Sequence, residues 1–232
     1  MQILAHRGDT RKAHENTLAA FQAAYDAGAD GFEFDIRLSS DGIPVVHHNL
    51  MVGDGFIEDL TFEQLKTIPL NDAVDNAFIP SFVEVLDAFA GKTYLEIHLQ
   101  SSTAETVQAV CALIEQYPQL NDMYELTTFE PAIINLVHAQ KPSYPCDLLF
   151  RVASWMTDEM AIRLQMEQAR LANPRGVHLF PYQINAAVLS RFEAMGLSVH
   201  CGVTNDVVEF ERIRALGVEQ ILTDDIHLYL TS

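Results

Sequence analysis

Short β-like runs alternate with amphipathic helical segments along nearly the whole chain, and this order constrains the fold most: it suits a parallel sheet covered by helices. The pattern predicts strands over about 2–6, 31–37, 93–99, 123–129, 147–152, 176–181, 198–203 and 220–223. A first helix opens at Asn16 or Thr17 and ends before Gly28, and others are predicted over about 81–90, 103–116, 131–140, 157–172, 185–195 and 206–216. Eight such strands in 232 residues fit an α/β class (β/α)8 TIM barrel, a fold that reaches this length without splitting. The expectation is one barrel domain over 1–232. A doubly wound open sheet is the alternative, but no Gly-rich dinucleotide loop follows any strand.

The alternation lapses once. A short insertion after the second strand, about 49–80, holds one helical segment near 60–68. Just before it, Pro44 to His48 is reached through the turn Ser40-Asp41-Gly42, so this extended piece is expected to pair beside the second strand. Asp54, Glu58, Asp59, Asp72 and Asp75 read as a solvated acidic surface around the insertion.

Composition removes several function classes. Fourteen basic residues against 32 acidic ones give a formal charge of −18, which disfavours nonspecific binding to nucleic acid or anionic membranes. A small or locally shielded anion is the expected ligand. Cys111, Cys146 and Cys201 are scattered and odd in number, supporting neither a disulfide framework nor a zinc ribbon. No basic and apolar leader and no bilayer-length apolar run is present, so a soluble cytoplasmic protein without a stable membrane anchor is expected. The sequence sets no oligomeric state.

Chemistry-bearing residues sit at the ends of successive predicted strands: His6-Arg7-Gly8, then Glu33-Phe34-Asp35, then His47-His48 behind Pro44-Val45-Val46. Strand side chains alternate faces, so Glu33 and Asp35 point the same way, as do Glu96 and His98 in Tyr94-Leu95-Glu96-Ile97-His98. Burying four ionisable groups in an apolar barrel costs several kcal/mol each, roughly, unless they are paired or coordinated. Placement around a cation at the open mouth removes that cost. Three carboxylates, Glu33, Asp35 and Glu96, favour a hard divalent ion, Mg²⁺ or Ca²⁺, over zinc. Taken singly these motifs have bland readings: E-x-D as a salt-bridged edge, His6-Arg7-Gly8 as a polar strand end. Alternation lets only one of His47 and His48 face the mouth. His138, His178 and His227 read as surface or core histidines, with His14 and His200 as intermediate cases.

The ordered set resembles the glycerophosphodiester phosphodiesterase family, whose fold is a (β/α)8 barrel. The matching elements are His6-Arg7-Gly8 with Glu15-Asn16-Thr17, Glu33-Phe34-Asp35, and Asp41-Gly42-Ile43-Pro44-Val45-Val46 leading to His48. Ile79-Pro80-Ser81-Phe82, Leu95-Glu96-Ile97, Thr128-Phe129 and Thr223-Asp224 follow in order. The resemblance implies His6 and His48 as catalytic histidines, Arg7 as a phosphate contact, and Glu33, Asp35 and Glu96 as ligands of one divalent cation, Mg²⁺, Ca²⁺ or Mn²⁺. It implies a small glycerophosphodiester as substrate, cleaved to sn-glycerol 3-phosphate and an alcohol through a cyclic phosphate.

Departures from the family pattern bear on specificity. Asn49 follows the second histidine where the family has Asp, and the Arg-Thr-Thr segment expected soon after is missing from 50–60. His98 stands where the family carries Lys, as a partly charged contact to substrate phosphate. The tryptophan of the seventh strand is replaced by Cys201 or its neighbour. Two alternatives follow. One is the same chemistry on lysophospholipids or phosphosphingolipids, served by an apolar groove involving Met51, Val52 and Phe56; the other is a non-catalytic barrel that binds a phosphorylated ligand.

Overall fold

The structure, a computed structural model, describes residues 1–70 and 77–230. Eight parallel strands form the barrel: β1 (Gln2–His6), β2 (Gly31–Leu38), β3 (Tyr94–Leu99), β4 (Tyr124–Thr128), β5 (Cys146–Leu149), β6 (Gly176–Leu179), β7 (Ser198–Val203) and β8 (Gln220–Thr223). Neighbours in sequence are neighbours in the sheet, and β1 closes the ring by pairing with β8 in the register Ile3↔Ile221 and with β2 in the register Ala5↔Phe32. That closure excludes the open doubly wound sheet. Helices α1 (Leu18–Ala27), α2 (Phe82–Phe89), α3 (Ala104–Ile114), α4 (Pro131–Gln140), α5 (Asp158–Ala172), α6 (Ala186–Glu193) and α7 (Val207–Ala215) cover the outside.

Period-two alternation divides each strand between two environments. Phe32, Phe34 and Ile36 of β2 and Leu95, Ile97 and Leu99 of β3 face the helices and join the main apolar core, where Phe21 of α1 stacks on Phe32 with ring centroids 4.4 Å apart. Glu33, Asp35, Glu96 and His98, the intervening residues, are buried inside the barrel. Strand–helix transitions follow local capping chemistry: Thr17 accepts from the Ala20 amide at the start of α1, and Ser81 with Glu84 forms a capping box at the start of α2.

Pro44–Val46 pairs antiparallel with β2, as its turn predicted, through Ile36↔Val46 and Leu38↔Pro44. The strand ends at Val46, short of the expected His48, although the His47 amide still donates to the Asp35 carbonyl at 2.9 Å. The insertion contains a two-stranded ribbon, Met51–Val52 with Gly55–Phe56, a 3₁₀ turn at Ile57–Asp59 and a short helix, Phe62–Leu65, smaller than the segment expected near 60–68. Val52, Ile57, Leu65, Leu70 and Ile79 pack on Val45 as a small separate core. Asp54, Glu58 and Asp59 are exposed, as expected; Asp72 and Asp75 lie outside the described residues. No helix among the described residues is long and apolar enough to cross a membrane.

Candidate active site

β1 ends at His6, and the chain then turns sharply through two left-handed residues, Arg7 with φ 60° and Gly8 with φ 86°. The Arg7 amide donates to the Glu33 carbonyl at 3.0 Å and its carbonyl accepts from the Asn16 amide at 3.0 Å. Asn16, itself at φ 57°, donates its side-chain amide to Asp35 Oδ2 at 2.9 Å. A non-glycine residue in this region stores backbone strain of about 1–3 kcal/mol. Here it fixes Arg7 with Nε 3.2 Å from Asp35 Oδ2 and Nη1 3.1 Å from Glu15 Oε1.

His6, Arg7, Glu33, Asp35, His48, Glu96 and His98 all line one cavity of about 260 Å³ at the C-terminal mouth of the barrel. The sequence-predicted site residues are therefore brought together. His47 is turned away from this cavity, its Nε2 3.2 Å from the Met51 carbonyl, so only His48 of the pair lines it. Of the residues offered for the tryptophan position, Cys201 is packed in the core outside the barrel, while its neighbours Gly202 and Val203 line the mouth.

Ligand-type atoms of Glu33, Asp35 and His98 lie within 4.8 Å of one another. His98 Nδ1 is 3.1 Å from Asp35 Oδ1 and 3.9 Å from Glu33 Oε1. Glu96, expected as the third carboxylate ligand, lines the same cavity, but its Oε2 accepts from Gln220 Nε2 at 3.1 Å. His98 instead of Glu96 thus completes the tight trio. The Glu33 Oε2 atom is buried and has no hydrogen-bond partner, which fits a residue set arranged for a cation.

Electrostatics within this trio are asymmetric. Burial, reinforced by Asp35, pushes Glu33 up to about 8. Burial also works against ionised Asp35, but hydrogen bonds from His98 and Asn16 and the charge of Arg7 outweigh it and hold Asp35 below the usual carboxylate range. Burial lowers His98 below its ordinary value, so at neutral pH it offers a neutral imidazole instead of a lysine's fixed charge. Glu96 is raised by burial and by the carboxylates of Glu125, Glu33 and Asp147.

The two histidines have different partners. His6 Nδ1 sits 2.6 Å from Asp224 Oδ1, and Asp224 is held in turn by Asn205 Nδ2 at 2.8 Å. Burial lowers the His6 pKa, yet the Asp224 hydrogen bond and the nearby Glu33 outweigh that, and the net shift is upward. His48 Nδ1 instead faces the amide oxygen of Asn49 at 3.2 Å. Asp224 and Asn16 are positioning residues that sequence reasoning missed as such: it gave Asp224 no role and offered Asn16 only as a candidate helix cap, a place taken by Thr17. Each stood in a recognised motif, Thr223-Asp224 or Glu15-Asn16-Thr17, but a partner 218 or 19 positions away in sequence is visible only in the fold.

Residues 6–228 match the model of the Glycerophosphoryl diester phosphodiesterase family. The chain belongs to this family. Membership makes it a phosphoric diester hydrolase. A glycerophosphodiester phosphodiesterase from Caldanaerobacter subterraneus subsp. tengcongensis is 27% identical over 96% of this chain and 93% of its own length. Human glycerophosphodiester phosphodiesterase 1 is 34% identical over 58% of this chain and 44% of its own. Among solved structures, a phosphodiesterase from Oleispira antarctica, in complex with the product sn-glycerol-3-phosphate, superposes with a TM-score of 0.82 at 22% identity, covering 97% of this chain and 93% of that one. A glycerophosphoryl diester phosphodiesterase from Silicibacter pomeroyi gives 0.83 at 22% identity over 97% and 90%. At such identity these structural likenesses carry the fold.

Proposed function

We propose that this chain hydrolyses glycerophosphodiesters to sn-glycerol 3-phosphate and an alcohol, with His6 and His48 as proton-transfer groups. The observation that carries this reading is the shared mouth cavity, in which two differently partnered histidines and Arg7 surround the Glu33, Asp35 and His98 trio. Glu33 and Asp35, with His98 or Glu96, would hold a divalent cation, which when bound supplies positive charge to the phosphoryl oxygens.

Proton transfer divides between the histidines by their partners. His6, raised by a carboxylate, carries the proton and acts as general acid. The His48 ring donates Nδ1–H to the Asn49 oxygen, which leaves Nε2 free to accept, and acts as general base. The glycerol hydroxyl next to the phosphate gives its proton to His48 as its oxygen bonds to phosphorus. The bond from phosphorus to the leaving alcohol breaks, and His6 protonates that oxygen. Water then opens the cyclic phosphate with the histidine roles reversed, restoring both.

An apolar wall of Phe129, Leu149, Phe150, Leu179 and Phe180 lines the other side of the same cavity. It favours, as a second reading, a diester whose glycerol side carries an acyl chain, such as a lysophospholipid. Met51, Val52 and Phe56, expected to form this groove, are absent from that wall: Met51 and Val52 line a neighbouring cavity and Phe56 is exposed.

Release of glycerol 3-phosphate from glycerophosphocholine tests the reading. Turnover abolished by EDTA and restored by Mg²⁺, Ca²⁺ or Mn²⁺ is expected, and His6→Ala or His48→Ala should each lower kcat by about 10²–10⁴-fold. Wild-type turnover in the double variant would reject the histidine roles. Faster cleavage of a lysolipid than of glycerophosphocholine would select the second reading.

A further inference from the structure

The barrel holds a second buried cluster, on the opposite arc of strands from the mouth trio. Glu125 of β4, Asp147 of β5, His178 of β6 and His200 of β7 are all buried, with one ligand-type atom of each lying within 4.8 Å of the others. His178 Nε2 is 3.7 Å from Glu125 Oε1, 3.6 Å from Asp147 Oδ2 and 3.3 Å from His200 Nδ1. His200 Nδ1 is 3.7 Å from Glu125 Oε2 and 3.3 Å from Asp147 Oδ2. A tetrahedron with metal–ligand bonds of about 2.0–2.1 Å has edges of roughly 3.3–3.4 Å. The five printed separations, 3.3–3.7 Å, are close to those edges, with Glu125 reaching His178 through Oε1 and His200 through Oε2.

A second observation concerns the far side of one ring. His178 has a buried Nδ1 without a hydrogen-bond partner, 3.7 Å from Glu96 Oε1 of the same polar interior. With Nε2 on a cation, the ring proton must sit on Nδ1, facing a carboxylate. This is the outer arrangement that orients metal-bound histidines.

The local charge is also negative. Arg175 pairs with Glu125 and with both oxygens of Asp147, so two carboxylates of the cluster face one guanidinium. We propose that Glu125, Asp147, His178 and His200 form a second cation site inside the barrel, taking a zinc-type divalent ion in four-coordinate geometry. Two imidazoles and a small shell select such an ion over Mg²⁺, which needs near-octahedral oxygen coordination, or Ca²⁺, which needs six to eight oxygens at about 2.3–2.6 Å. His178 also lines the mouth cavity, so an ion can reach the cluster from that side. The proposal is independent of the reaction assigned to the mouth.

Cobalt(II) reports four-coordination directly, through intense visible absorption that the six-coordinate ion lacks. Titrating chelator-treated protein with Co²⁺ should give this absorption at one equivalent in wild type and in the mouth variant Glu33→Gln/Asp35→Asn, but not in His200→Gln. Zn²⁺ at a hundred times its Kd should raise the folded-to-unfolded ratio of the wild type by about a hundredfold. Anomalous scattering from a Zn²⁺-soaked wild-type crystal should place the ion among the four side chains, which decides the matter even if His200→Gln fails to fold. Wild type without the absorption and without the Zn²⁺ effect would overturn the proposal, leaving Arg175 and the imidazoles as a closed ion-pair network. So would absorption lost on changing Glu33 and Asp35 and retained on changing His200.

Discussion

Asp224 shows how much the site depends on single partners. Its carboxylate, 2.6 Å from His6 Nδ1, raises the pKa of His6 above the ordinary value of about 6.5. In the general-acid role proposed for it His6 must be protonated, so kcat should fall as pH rises through the folded pKa of His6. Asp224→Asn removes the charge and keeps the shape; it should move that descending limb to lower pH and reduce kcat. The raised pKa also stabilises the fold below about pH 6.5, and this contribution fades as pH rises through the folded value. A pH profile of kcat for both proteins checks the assignment: a descending limb that stays in place would remove Asp224 from the mechanism. His6, Arg7, Glu33, Asp35, His48 and His98 were legible in the sequence because each interrupts or ends an apolar strand in a recognised order. Glu125 and Asp147 interrupt β4 and β5 in the same way, and the alternation that singled out Glu33 would have found them. His178 was passed over as an isolated residue because its neighbours come from three other strands.

At the scale of elements, the turn from β1 toward α1 sets the geometry of the mouth. Gly8 has φ 86°, and a Cβ there would come within 2.7 Å of the Ala20 backbone in α1. Gly28, at the other end of α1, has φ 90° but open space around it. The two glycines separate backbone strain from collision. Gly28→Ala should cost about 1 kcal/mol, the left-handed penalty alone. Gly8→Ala should cost clearly more, because α1 must shift, and kcat should fall as Arg7 moves with the turn. Denaturant midpoints and turnover of the two variants check this; equal losses would remove the collision from the account. Most barrel elements were legible within a few residues because period-two and period-3.6 patterns are local. The insertion was less so. Its ribbon strands are two residues long and its helix four, too short to show a period, and its order comes from packing on Val45.

For the whole molecule, a barrel interior crossed by Glu33, Glu96, Glu125, Asp147, His178, His200 and Gln220 replaces the branched apolar layers that usually fill such a fold. Apolar stabilisation therefore lies mainly between strands and helices, where Phe21, Phe32, Phe34 and Phe89 cluster. Outside, a formal charge of −18 repels itself and any anionic substrate. Against that field, Arg7, Arg11 and Lys12 line a cavity of about 790 Å³ beside the mouth that also includes His6, Glu15 and Asp224, so three cations gather on one side of the site. Arg11 is paired with Asp225 at 3.0 Å, whereas no ion-pair partner of Lys12 is found among the described residues. Two opposite salt effects follow. Raising ionic strength from about 0.01 to 0.1 M shortens the Debye length from about 30 to 10 Å, so self-repulsion weakens and Tm should rise. The attraction from Lys12 is screened over the same range, so Lys12→Gln should lower kcat/KM for a glycerophosphodiester several-fold at low salt and progressively less as salt increases. Measuring Tm and kcat/KM across one salt series separates the two fields. A Lys12→Gln effect that stays constant with salt would mean a direct contact, not steering at the cavity rim.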